Sequence, residues 1–256
     1  MTKIQRKFKY NADQKGIAIR YLREKENWQP HLVNSKKFIL KSAKNKNKKT
    51  AIVLGSGWWL DVPTEELSQI FETVYLVDII HPKEIIHKTR KFENIKLIEI
   101  DITGQTENIF EHIKNYKKTK SKINLLNLKP KTTNFGLPEN INPDFVISVN
   151  LLNQLDILIT SYLRKHNIYT EQEIIKFQQK IQQTHIDNLP KEKTCLITDY
   201  KELIYDNKNN LTKEKQLVFV PFPKGKFEQE WTWKFDLTGN YNQNSQTIFK
   251  VKAIDF

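Results

Sequence analysis

The stretch that most limits what this chain can fold into is TAIVLGSGWWLDVPTEELSQIFETVYLVDIIHP, from Thr50 to Pro82. An apolar run of strand-forming residues stops at Gly55-Ser56-Gly57, a helix-like segment follows, and a second apolar run ends in an acid, Asp78. Short apolar runs alternating with helical segments are the pattern of parallel strands joined by crossover helices. It recurs downstream: strands are expected at 51–54, 73–77, 95–100, 144–149 and 194–198, and helices at 64–71, 82–91, 107–116, 151–166 and 171–189. Right-handed crossovers then leave few topologies.

The flanks read differently. Before Thr50, GIAIRYLREKEN and WQPHLVNSKKFILKSAK are amphipathic helices, with Pro30 suited to the first helical position of the second. The polar connector KNKNKKT follows, and its Lys44, Lys46, Lys48 and Lys49 are expected to be solvent-exposed. After residue 200, QLVFVPF, EWTWKF and QTIFKVKAIDF are β-rich, and the last pair suggests an antiparallel hairpin at the sheet edge. The chain thus divides into a helical extension over 1–49 and an α/β domain over 50–256.

A chain of 256 residues with 38% hydrophobic content can bury one good core. It contains no long uninterrupted apolar window, and no apolar stretch follows the basic start, so neither a membrane span nor a secretory leader is expected. Its single cysteine, Cys195, cannot form an internal disulfide, and no Cys/His spacing resembles a zinc site; a cytoplasmic setting is the default. The net charge of +13 is uneven: residues 1–50 hold 15 Lys/Arg and 3 Asp/Glu, so the front carries +12 and the body is neutral. A basic front is either a solvated face of a lysine-rich chain or a surface that meets phosphate, so nucleic acid is a possible partner.

Two glycines separated by one residue after a buried strand allow positive φ and close approach of backbone to a ligand. Asp78, at the end of the next strand and 21 residues after Gly57, is placed to accept from both hydroxyls of a ribose, or else caps the following segment. Asp101 ends the third strand in the same way, either facing an adenine or capping a helix. A dinucleotide fingerprint wants a third small residue where this chain has Leu60, and Asp61, Glu65 and Glu66 at the following helix start would repel a diphosphate. A ligand with ribose and adenine, no phosphate and a cationic centre suits the pattern better.

AIVLGSGWWLDVP, VYLVDIIHP, IKLIEIDI and PDFVISVNLLNQL resemble the successive motifs of class I, Rossmann-like S-adenosylmethionine-dependent methyltransferases. The resemblance covers about residues 50–198, and the terminal hairpin is as that family has it. Within the superfamily the chain is similar to bacterial methyltransferase-like proteins with a WxPHL segment, here Trp28, Pro30, His31 and Leu32. The resemblance implies a doubly wound, mostly parallel seven-stranded sheet with an antiparallel C-terminal strand, and S-adenosylmethionine as cofactor. Gly55, Ser56 and Gly57 would lie against its methionine part and ribose, Asp78 would hold the ribose, Asp101 would face adenine, and Asn150 would face both cofactor and substrate.

At the end of the fourth strand, methyltransferases of nucleobase or glutamine amino groups carry Asp or Asn, then Pro-Pro and an aromatic; this chain has Asn150-Leu151-Leu152-Asn153. A small-molecule acceptor is therefore expected over a nucleobase amino group. Asn150 orients a substrate or caps the helix after it. His81 and Asp199 are candidate bases, His81 with a structural alternative beside Pro82, and His31 reaches the pocket if the N-terminal helices cover it. Trp231 and Trp233 are expected in core or hairpin packing, at most one of them facing a pocket. The alternatives are a non-catalytic cofactor-binding module and a nucleic-acid-associated protein on the same fold.

Overall fold

The computed structural model describes residues 3–131, 134–138 and 141–256. The centre is β1 (Thr50–Leu54), whose residues Ala51 to Leu54 are wholly buried. It pairs in parallel with β2 (Thr73–Asp78) on one side and β4 (Phe145–Val149) on the other. Beyond β2 lies β3 (Ile95–Glu99), and beyond β4 lies the long β5 (Thr194–Tyr205). The antiparallel β8 (Gln246–Asp255) pairs with β5, and β7 (Phe227–Asp236) forms the edge. The path β3-β2-β1-β4-β5-β8-β7 contains the expected seven strands, with β6 (Leu211–Gln216) added against the far half of β5. This is the expected α/β class with an antiparallel C-terminal strand.

Register places the site. Leu54 is level with Val77 and Ser148, Asp78 with Glu99, and Val149 with Ile197. The residues that follow these strand ends therefore emerge along one edge of the sheet. The order of strand addition reverses between β1 and β4, the switch point at which open α/β sheets bind ligands.

Alternation along each strand builds two cores. Ala51 and Val53 face Phe38, Ile39 and Leu67, from α3 (Lys25–Ala43) and α4 (Thr64–Ile70). Ile52 and Leu54 face Ile109, Ile159 and Phe177, from α6 (Thr106–Thr119), α7 (Ile157–His166) and α8 (Glu171–Asn188). The shorter α1 (Lys3–Lys7), α2 (Tyr10–Arg23) and α5 (Lys83–Thr89) complete the chain order. Among the described residues, no helix is long and apolar enough to cross a membrane.

Four local expectations are corrected. The helix expected to begin at Pro30 begins at Lys25, because the Pro30 ring sits on an exposed face where water can serve the carbonyl left without a donor. The helix expected from 151 begins at Ile157, after a run of turns that draws Leu152 and Asn153 inward. Apart from Gln216, the β-rich segment QLVFVPF lies beyond the strand, which is the polar LTKEKQ; ion pairs Lys201–Glu214 and Lys215–Glu202 cross the hairpin and suit an exposed edge. Lys46 is not a solvated connector residue: its ammonium donates to the Glu192 carbonyl (2.7 Å) and pairs with Asp255 (3.3 Å), both side chains being buried. Lys48 donates to the Ala43 carbonyl, which leaves Lys44 and Lys49 as the exposed pair.

Candidate functional site

A cavity of about 300 Å³ opens along the carboxyl ends of β1 to β4 and the middle of β5. Gly55 leaves β1 at φ +76°, its N–H donating to the Val77 carbonyl (2.9 Å). A Cβ there would stand 3.0 Å from Leu151 Cβ, so the loop passes too close to the end of β4 for a side chain. Gly57 also has positive φ, +45°, but a Cβ there would meet nothing nearer than 3.9 Å; the space beside it is open cavity. The Gly57 N–H donates to Asp78 Oδ2 (2.9 Å) and the Ile79 N–H to Oδ1 (2.7 Å), which fixes the carboxyl at the mouth of the loop. Burial raises its pKa against the pull of these N–H groups. Each oxygen keeps lone pairs for a ligand hydroxyl. Between the glycines, the buried Ser56 hydroxyl lines the cavity without a partner.

Asp101 lines the same cavity and also organises the start of α6. Its Oδ1 accepts from the Thr103 N–H (2.9 Å) and hydroxyl (2.6 Å), and its Oδ2 from the Thr106 N–H (2.8 Å). The two readings of Asp101 are thus compatible. His81 lies elsewhere: its N–H donates to Glu99 and its Nε2 is 3.3 Å from the Ile98 carbonyl, so the ring turns to β3 and is not a cavity wall.

Asn150 leaves β4 with φ +46°, a left-handed conformation that asparagine tolerates better than most residues. It caps no helix, since α7 starts seven residues later. Its amide nitrogen donates to Asp61 Oδ2 (2.6 Å) and lies 3.0 Å from His31 Nε2. Burial raises the Asp61 pKa and lowers that of His31 to about 3, so the imidazole is neutral. Trp231 can only donate, and its indole N–H reaches His31 Nδ1 (3.0 Å); the neutral ring's proton is therefore on Nε2, and the Asn150 amide nitrogen beside it, itself a donor, bonds to Asp61 and not to His31. Trp231 and Trp233, two apart on β7, share a face: Trp233 stacks on His31 at 4.0 Å and lines the cavity, and Trp231 anchors the ring from the side.

The N-terminal helices form one wall of the cavity. Trp28 donates to the Phe235 carbonyl (2.8 Å), and Trp58 of the glycine loop donates to the Gln14 carbonyl on α2 (2.8 Å). Asp199, in the stretch of β5 just past its pairing with β4, forms part of the far wall and is 2% exposed. Burial, with the charges of Glu202 and Asp61, raises its pKa to about 7. Asn153 Nδ2 donates to its Oδ2 (2.9 Å). Of the sequence-selected residues, Gly55, Ser56, Gly57, Asp78, Asp101, Asn150 and Asp199 meet in this one cavity, and His81 does not. Asn153, Arg20 and Tyr241 join them without a local motif to announce them, and Asp61 was legible only as an acid before a helix. Among the described residues, no His/Cys/Asp/Glu cluster could hold a metal ion.

The sequence matches no protein-family model and no curated protein. Among solved structures, the chain is similar over 94% of its length to 94% of DhpI in complex with SAH, at 10% identity and a TM-score of 0.37. It is similar over 89% of its length to 96% of the N-methyltransferase NodS from Bradyrhizobium japonicum WM9, at 10% identity and TM-score 0.33. It is also similar over its full length to 50% of phosphoethanolamine N-methyltransferase 1 from Haemonchus contortus, at 12% identity and TM-score 0.39.

Proposed function

We propose that the chain is a class I S-adenosylmethionine-dependent methyltransferase acting on a small molecule, with residues 1–49 capping a catalytic domain over 50–256. The observation that carries this reading is the clamp of the Gly57 N–H on Asp78 at the switch point, beside a loop that leaves open cavity where a side chain would stand. A ribose fits there, with its hydroxyls on Asp78. Asp101 lies toward the adenine, and the backbone of Gly55 to Gly57, with the Ser56 hydroxyl, lies along the ribose and methionine part.

The electrostatics favour a cationic ligand over a dinucleotide. A diphosphate needs a helix N-terminus facing it. Here residues 55–63 intervene before α4, and the Asp61 carboxyl occupies the cavity wall instead. Glu65 and Glu66 face solvent, so Asp61 alone of the three acids bears on the ligand. When bound, the cofactor supplies an electrophilic methyl carbon on a sulfonium. The chain's own residues then position an acceptor and hold its proton: Asn150 is fixed by Asp61, Asp199 faces the acceptor end, and α2 and α3 shield one side of the cavity from water. Enclosure by the cap, and the absence of Pro-Pro after Asn150, favour a small acceptor.

Thermal unfolding with S-adenosylhomocysteine, NAD and ATP tests this. At about 100 times its dissociation constant, S-adenosylhomocysteine should stabilise the fold by roughly 2.7 kcal/mol, a rise of roughly 5 to 10 °C. NAD and ATP should leave the midpoint unchanged; stabilisation by NAD alone would overturn the proposal.

A further inference from the structure

The far end of the cavity has a chemistry of its own. Asn153 and Asp199 are 7% and 2% exposed, and the bond between them uses Asn153 Nδ2 and Asp199 Oδ2. Asn153 Oδ1 and Asp199 Oδ1 are left buried with no hydrogen-bond partner, on the wall of an open cavity. Two neighbouring acceptors without donors call for a ligand rich in N–H or O–H. A hydroxyl brings one donor, whereas an ammonium brings three and a charge.

The surroundings select between these. The carboxyls lining the cavity are Asp13, Asp61, Asp78, Asp101 and Asp199, against the one guanidinium of Arg20. That guanidinium lies over the rings of Phe235 (4.7 Å) and Tyr241 (4.8 Å), engaged by aromatic faces. Trp28, Trp233 and Phe249 add apolar wall for the rest of a ligand.

We propose that this end of the cavity binds a primary amine with an apolar or aromatic body, the ammonium donating to Asp199 Oδ1 and Asn153 Oδ1. Asp199 then accepts one N–H proton at Oδ1, which leaves the nitrogen lone pair free on a neutral amine. Resting on the methyltransferase reading, this makes the acceptor class an amine.

The test is calorimetric titration of the full chain with butylamine, benzylamine, 2-phenylethylamine and tryptamine, each beside its matching alcohol, and with 3-phenylpropanoate as an anionic control. At least one amine should bind about ten- to a hundredfold tighter than its alcohol, the span of a charge-assisted hydrogen bond, and the carboxylate should not bind. Asp199→Asn keeps the side chain's shape and should erase the amine preference while S-adenosylhomocysteine still binds. The wild-type ligand series stands even if that variant fails to fold. Equal affinity of amines and alcohols across the panel, preferential binding of the carboxylate, or an amine preference that survives in Asp199→Asn overturns the proposal. Titration with S-adenosylhomocysteine alone separates the two readings: cofactor binding without amine preference sinks only the amine site, and the reverse sinks only the methyltransferase reading.

Discussion

At the strand-end side of the cavity, the groups offered to a ligand come from backbone and from carboxyls that backbone N–H groups hold: Gly57 on Asp78, and Thr103 and Thr106 on Asp101. At the capped side they come from side chains held by other side chains. Trp231 holds His31, Asn150 sits between His31 and Asp61, and Asn153 holds Asp199. The first kind of site follows from strand register, so it is common to whatever ligand the fold takes at its switch point. The second depends on which side chains α3, β5, β7 and the loops after β1 and β4 bring together, and it can change specificity without disturbing the first.

If the two ends are separable, damage to the cap should cost stability more than cofactor affinity. Trp28 is 3% exposed, packs edge-on to Trp233 (4.8 Å) and stacks on Phe235 (5.4 Å). Trp28→Ala should destabilise the protein by about 3 to 5 kcal/mol in denaturant titration. S-adenosylhomocysteine affinity of the still-folded variant should fall less than about tenfold; complete loss in a folded protein would break the distinction.

A smaller effect comes from pH. The Asp199 pKa is raised to about 7 by burial first, then by Glu202 and Asp61. Between roughly pH 4 and 7 the native state keeps a proton that the unfolded chain has released, so this group's contribution to stability falls as pH rises, by at most about 1.4 kcal/mol per unit. Asp199→Asn should flatten that fall in denaturant titrations across the window, and parallel curves would show that Asp199 does not titrate there. The smallest effect is expected at the connector. Lys44→Gln with Lys49→Gln should change stability by less than about 0.5 kcal/mol and leave both ligand ends untouched. Submicromolar RNA or duplex DNA binding in a fluorescence-anisotropy titration at physiological salt, weakened by this pair, would point to a polyanion acceptor instead.

The same contrast accounts for what could be read beforehand. The five parallel strands, the glycine loop and Asp78 were legible because each is a local pattern: apolar runs, paired glycines, an acid at fixed spacing. β6 was not, because a strand of alternating Lys and Glu is stabilised by ion pairs to β5 and not by its own apolar face. The start of α3 was misplaced because Pro30 reads as a beginning, while its exposed position lets the helix run back to Lys25. Lys46 read as solvent-facing because its partner, Asp255, is 209 residues away. Asp61 and Asn153 are single residues from distant segments whose shared cavity exists only after folding, so no spacing could announce them, whereas His31, singled out in the WxPHL segment, reaches the cavity because the N-terminal helices line it.

The claim that joins these points is that Asp78 serves the cofactor and Asp199 the acceptor. Calorimetric titration of S-adenosylhomocysteine into the wild type, Asp78→Ala and Asp199→Asn tests it most directly. Loss of a charge-assisted bond at Asp78 should weaken affinity about ten- to a hundredfold, a cost of about 1.5 to 3 kcal/mol, with the fold intact. Asp199→Asn should bind within about twofold of the wild type. Failure of the wild type to bind, or an equal loss in both variants, would contradict the account.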